Sequence, residues 1–165
     1  MKKLILGAVI LTAFGASSLY AQSSATTATS GSARVLGKIQ LAKVTDLNFG
    51  DLVAGAALGT VVVDTAGART STGGVSLAAG TVSQASFTVT GEPSKSYTIT
   101  VPASVTLSSG ANTMLVNGFV LSPVTPATIP VSGSGPLNIG ATLNVGAAQA
   151  TGSYTAPFNV TVAYN

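Results

Sequence analysis

Short runs in which apolar and polar side chains alternate recur along most of the chain. SFTVT places Phe87 and Val89 on one face and Ser86, Thr88 and Thr90 on the other. SYTITV sets Tyr97, Ile99 and Val101 against Ser96, Thr98 and Thr100. LNIGATLNV aligns Leu137, Ile139, Ala141, Leu143 and Val145; FNVTVAYN aligns Phe158, Val160, Val162 and Tyr164. Successive side chains of a strand point to opposite sheet faces, so this pattern predicts half-buried antiparallel strands. KIQLAKV (38–44), TVVVD (60–64), VSLA (75–78) and MLVNGFVL (114–121) add further strands. Within the last, Asn117-Gly118 reads either as a tight hairpin turn or as a bulge in one strand. No window shows the 3.6-residue period of a helix. Turns are signalled at Gly73-Gly74, Gly91-Glu92-Pro93, Ser108-Ser109-Gly110 and the Pro/Gly-rich 122–136.

Seven or more short strands in about 130 residues imply an all-β fold, an immunoglobulin-like antiparallel β-sandwich, with a small barrel as the alternative. No repeat period points to a solenoid or propeller. The core residues expected between the two sheets are Phe87, Val89, Ile99, Val101, Leu143, Val145, Phe158 and Val160.

The first residues follow another pattern. MKKLILGAVILTAFGASSLYAQ has two lysines, a short apolar run and mostly small residues up to Ala21, the three parts of a cleavable export signal. Its apolar run is much shorter than the roughly 20 residues of a bilayer span. The expected organisation is signal peptide 1–21, flexible extension 22–32 and sandwich domain 33–165. The extension, QSSATTATSGS, holds no large apolar side chain and no charge, so it has little surface to bury against its ordering entropy. No later stretch is long and apolar enough for a membrane span, and the mature product is expected outside the cytoplasm.

Composition then narrows the chemistry. Charged residues make up 7% of the chain, against about a quarter in ordinary proteins. There is no Cys and no His, which removes thiol and imidazole chemistry, ordinary zinc sites and disulfides. Removing Lys2 and Lys3 takes the net charge from +3 to +1, which is no footprint for nucleic acid. DLNFGD (46–51) imitates the opening of a calcium loop, but Gly50 stands at a ligand position and Ala57 at the closing one, so a capped turn is the better reading. Lys95, between Ser94 and Ser96, has poor geometry for a Ser/Lys pair because strand neighbours point apart. Arg34, Lys38 and Lys43 suit a charge-guarded strand edge as well as an anion-binding patch. Asn159-Val160-Thr161 fits a glycosylation sequon inside a predicted strand. No catalytic residues, cofactor site or metal site are expected, and the chain does not read as an enzyme.

The C-terminus is the informative part. The chain stops inside an alternating strand, Tyr164 is penultimate, and Gly152 is fourteenth from the end. Together these resemble the C-terminal signature of chaperone–usher pilins. Over nearly the whole mature chain, LNFGDLV, GGVSL, ASFTVTGEPSKSYTITVP and LNVGAAQATGSYTAPFNVTVAYN resemble bacterial domain-of-unknown-function family 4402, small exported pilin-like proteins. Many pilins carry one disulfide, and this chain has none.

The resemblance implies a fimbrial subunit polymerising by strand donation, with a periplasmic chaperone and an outer-membrane usher as partners, carried through the periplasm to the cell surface. Gly152, Phe158, Val160, Val162 and Tyr164 would then form the strand used by chaperone and subunit. Ala33, Val35, Gly37 and Ile39 form the best alternating donor set. If these belong to the subunit's own first strand, Ala25, Thr27, Thr29 and Ala33 must serve. The alternative function is a self-contained secreted or outer-surface adhesion module.

Overall fold

Ten strands, all antiparallel, build the protein, and no helix occurs among the described residues. The structure, a computed structural model, describes residues 24–165; the expected signal peptide lies outside them. Residues 24–34 are exposed and carry no regular structure, and the folded domain runs from Val35 to Asn165.

The larger sheet is organised around β9 (Ser134–Val145). Along one edge of β9, β4 (Ala85–Thr90) pairs with residues 134–139 and β2 (Leu52–Val63) with residues 141–145. β7 (Asn112–Ser122) pairs along the other edge and carries β6 (Ser104–Ser109). Outermost lie β1 (Gln40–Thr45) on β4 and β3 (Arg69–Leu77) on β2. The smaller sheet has the order β10 (Thr161–Tyr164), β5 (Ser96–Thr100), β8 (Ala127–Thr128). This is the sandwich that the alternation predicts.

β9 holds the centre because it alternates over its whole length and no charge interrupts it. Leu137, Ile139, Ala141, Leu143 and Val145 are all buried. Leu137 and Ile139 join Val89, Tyr97, Ile99 and Ile129 in one core cluster. The last three join Phe49, Val61, Val63, Met114 and Val116 in the other. Gly140 sits where β4 gives way to β2, and a side chain there would overlap the Val63 carbonyl.

Several boundaries differ from the pattern-based expectation. β2 begins at Leu52 rather than Thr60, and β3 at Arg69 rather than Val75. The added halves, LVAGAALG and RTSTGG, show no apolar alternation and are held by cross-strand pairing. Asn117-Gly118 is a bulge within β7, with Gly118 at φ 59°. β6 was not expected. It joins β7 through Gly110-Ala111, with Gly110 at φ 58° in the first turn position, where a tight hairpin of type II′ needs glycine.

Of the eight expected core residues, Val89, Ile99, Leu143 and Val145 are buried, whereas Phe87, Val101, Phe158 and Val160 are only half-buried. The strand faces are right, but one flank of the sandwich is left uncovered.

Candidate strand-accepting groove

The uncovered flank follows from how the C-terminal segment is paired. Thr155 exchanges two backbone bonds with Ser108 of β6, each 3.1 Å. The segment then crosses to the smaller sheet, where Thr161–Tyr164 pairs with β5. The Asn165 amide donates to the Ser96 carbonyl at 3.3 Å, so odd-numbered residues direct their backbone groups toward β5. The next odd pair would set Asn159 against Pro102, which has no N–H to give, and the ladder stops at Thr161. Val162 and Tyr164 therefore aim their N–H and C=O groups away from β5. Among the described residues no strand is hydrogen-bonded to β10 on that side, although β1 comes near it, and residues 156–160 make no backbone hydrogen bond.

β1 lies beside this edge at β10, while the irregular stretch 46–51 faces residues 149–158 across a gap. β1 pairs on one side only, with β4. A groove of about 1080 Å³ opens between residues 149–158 on one wall and residues 45–54 on the other. Its floor includes Ala85, Phe87, Leu107, Met114, Val116 and Leu143, so it reaches the core itself. Along its course Leu47, Phe87 and Phe158 pack on buried residues with one flank still open, and Val160 and Val162 pack half-buried on the same core beyond it. Phe158 also stacks at a tilt on Phe119, ring centroids 5.4 Å apart.

The C-terminal segment is tied by side chains at two places. On β10 the Tyr164 hydroxyl accepts a bond from the Glu92 amide at 2.7 Å and donates to the Gly37 carbonyl at 3.0 Å. At the other end the Gln149 amide nitrogen donates to the Thr113 carbonyl at 3.2 Å and the Tyr154 hydroxyl at 2.8 Å, and Tyr154 donates to the Ala150 carbonyl. Gly152 lies so close to Ser109 that any β-carbon would collide with its hydroxyl.

Of the sequence-derived residues, Gly152, Phe158, Val160, Val162 and Tyr164 thus fall on one continuous segment; Gly152 and Phe158 line the groove, and Val160, Val162 and Tyr164 continue beyond it. The expected donor set is split. Val35 is 95% exposed and Ala33 is exposed, whereas the Gly37 carbonyl is engaged by Tyr164 and Ile39 packs on the core of its own domain.

The DLNFGD stretch forms one wall of the groove. The Asn48 side chain accepts from the Gly50 amide at 2.8 Å, Ser83 brackets Asn48 through two backbone bonds, and Lys43 pairs with Asp46 at 2.8 Å. Lys95 lies in the turn before β5, its amide bonded to the Glu92 carbonyl. No cluster of three or more metal-ligating side chains occurs among the described residues. Sequence reasoning missed Gln149 and Arg69, which organise the two walls. Their partners are mostly carbonyls, which leave no trace in a pattern of side chains.

A β-sandwich with one open, core-deep edge is the class that this geometry defines. The chain belongs to the family described as domain of unknown function (DUF4402), which matches residues 39–164. No curated protein and no solved structure matches it significantly.

Proposed function

We propose that the protein is a structural subunit of a bacterial surface fimbria, assembled by strand exchange between copies. The observation that carries this reading is the unpaired segment 156–160, which leads into the free edge of β10 and whose Phe158 lines a groove that reaches the core. An unpaired edge over apolar surface is an aggregation hazard unless another strand covers it. Strand addition supplies that cover: ladder bonds give affinity, and alternate side chains entering the groove set the register.

The donor is the N-terminal segment of the next copy. Residues 22–33 carry no charge and are about as long as the edge from Tyr154 to Tyr164. With Gly37 and Ile39 engaged in their own domain, Ala25, Thr27, Thr29 and Ala33 form the alternating set free to leave. Donation through Ala33, Val35, Gly37 and Ile39 requires Ile39 to give up its place on the core. Export through the periplasm, a chaperone that covers the groove in transit and an outer-membrane usher belong to the same reading. No helix among the described residues is long and apolar enough to cross a membrane.

The test compares residues 33–165 alone with the same chain carrying residues 22–40 after Asn165 through a short linker. Strand donation predicts that the first aggregates or is degraded and the second is a monomer with a much higher melting temperature. A stable unextended monomer that gains nothing from the added strand would show the sandwich to be complete, which favours the self-contained module.

A further inference from the structure

The groove needs a wall that does not give way when a strand enters, and the wall at residues 46–51 belongs to no strand ladder. Its inward side chains, Leu47 and Phe49, attach it to the core. Ser83 fixes its backbone at Asp46 and Asn48, and a guanidinium fixes the end toward Asp51. Arg69, the first residue of β3, is half-buried and reaches back to three carbonyls. One guanidinium nitrogen donates to Phe49 at 2.7 Å and to Asp51 at 3.0 Å; the other donates to Ala78 at 2.7 Å. The Ala78 amide also bonds the Asp51 carbonyl at 3.1 Å, so the charge ties the wall to the residue that follows β3.

Two features make this a built clasp. A planar guanidinium spans several acceptors in one fixed fork, which a lysine ammonium, as a single point charge, does not reproduce. Gly50 lies inside the clasp at φ 68°, and a β-carbon there would meet the Arg69 guanidinium and Val82. The glycine is needed both for its backbone angle and for the space that the guanidinium occupies.

We propose that Arg69 is a positioning residue for strand capture: its guanidinium holds Phe49–Asp51 as the rigid wall against which the incoming strand packs. This rests on the strand-exchange reading and adds to it a residue remote from the open edge. It is not a contact residue for the donor; it acts through the wall.

The experiment uses four chains starting at Gln22: the native sequence and Arg69→Lys, each with and without residues 22–40 linked after Asn165. The denaturant midpoint is read for all four at concentrations dilute enough to keep the unlinked chains from associating, with hydrogen exchange at residues 49–51. The expected result is a smaller gain from the linked strand in Arg69→Lys, equivalent to about tenfold weaker strand binding, within the range of coupled residues. Faster exchange at residues 49–51 is expected with it. An equal drop in both forms, with the gain from the strand unchanged, makes Arg69 an ordinary stabilising residue and overturns the proposal. A native chain that gains nothing from the strand instead overturns the strand-exchange reading, and the proposal with it. If Arg69→Lys does not fold, Gly50→Ala displaces the guanidinium while leaving its charge on β3, and an unchanged gain there overturns the assignment equally.

Discussion

Phe158 is the residue whose stability cost should depend most on whether a strand occupies the groove. Complete removal of a fully buried phenylalanine ring costs about 3–5 kcal/mol. Here the ring is half-buried, packed on Phe119 and the second core cluster on one side and open to the groove on the other. Phe158→Ala in the open domain should therefore cost about half of that, roughly 2 kcal/mol, since only the covered flank loses apolar contact. With residues 22–40 linked after Asn165 and seated in the groove, the second flank is covered and the cost should rise to about 4 kcal/mol. The difference of about 2 kcal/mol corresponds to a change of roughly thirtyfold in the folding equilibrium. Urea unfolding of the four chains measures it, read at constant denaturant slope so that midpoints report stability alone. Equal costs in the open and linked forms would show that the strand does not lie over Phe158. A cost of a few tenths in both would refute the strand register itself.

Tyr164→Phe removes the hydroxyl that joins Glu92 to Gly37; it should cost about 1–2 kcal/mol and speed hydrogen exchange over residues 35–39 with little change elsewhere. Gly152→Val forces a side chain into Ser109, so a loss of about 1–3 kcal/mol is expected, with proteolytic cleavage concentrated at residues 146–154. Burial holds the Tyr97 hydroxyl above its ordinary pKa of 10.0. The unfolded chain therefore ionises first, and stability present below about pH 10 should fall as pH rises through the folded value. Tyr97→Phe should flatten that alkaline limb in pH-dependent melting while leaving neutral-pH stability nearly unchanged.

The strands with strict alternation were legible at once. β4, β5 and β9 lie within a residue or so of where SFTVT and SYTITV, and within three of where LNIGATLNV, placed them, because a two-residue period is dictated by backbone geometry alone. Where alternation is weak, the ends moved. The added halves of β2 and β3 are strands because each pairs with the legible half of the other, residues 52–54 with 75–77 and 69–73 with 59–63, a long-range pairing that single-residue preference does not encode. β6 was hidden because SVTLSS carries only two large apolar residues, and its turn signal concealed the strand leading into it.

The groove divides the same way. That Phe158, Val160, Val162 and Tyr164 share a face is a property of sequence, as is the lack of charge in residues 22–33. That this face is only half covered is not, since it depends on which strand stands beside it. The ladder on β10 stops because Pro102 falls opposite Asn159, a meeting of residues far apart in the chain. Likewise Ile39 is held on its own core, which decides what remains free to be donated. Arg69 gave no sign in sequence because its three acceptors are backbone carbonyls, present at every residue and selected only by the fold. Periodicity thus determined the class of fold and the faces of its strands, since these follow from local geometry. Tertiary structure alone decided where the sandwich stays open and what holds it so, because pairing partners and carbonyl acceptors are chosen by distance in space.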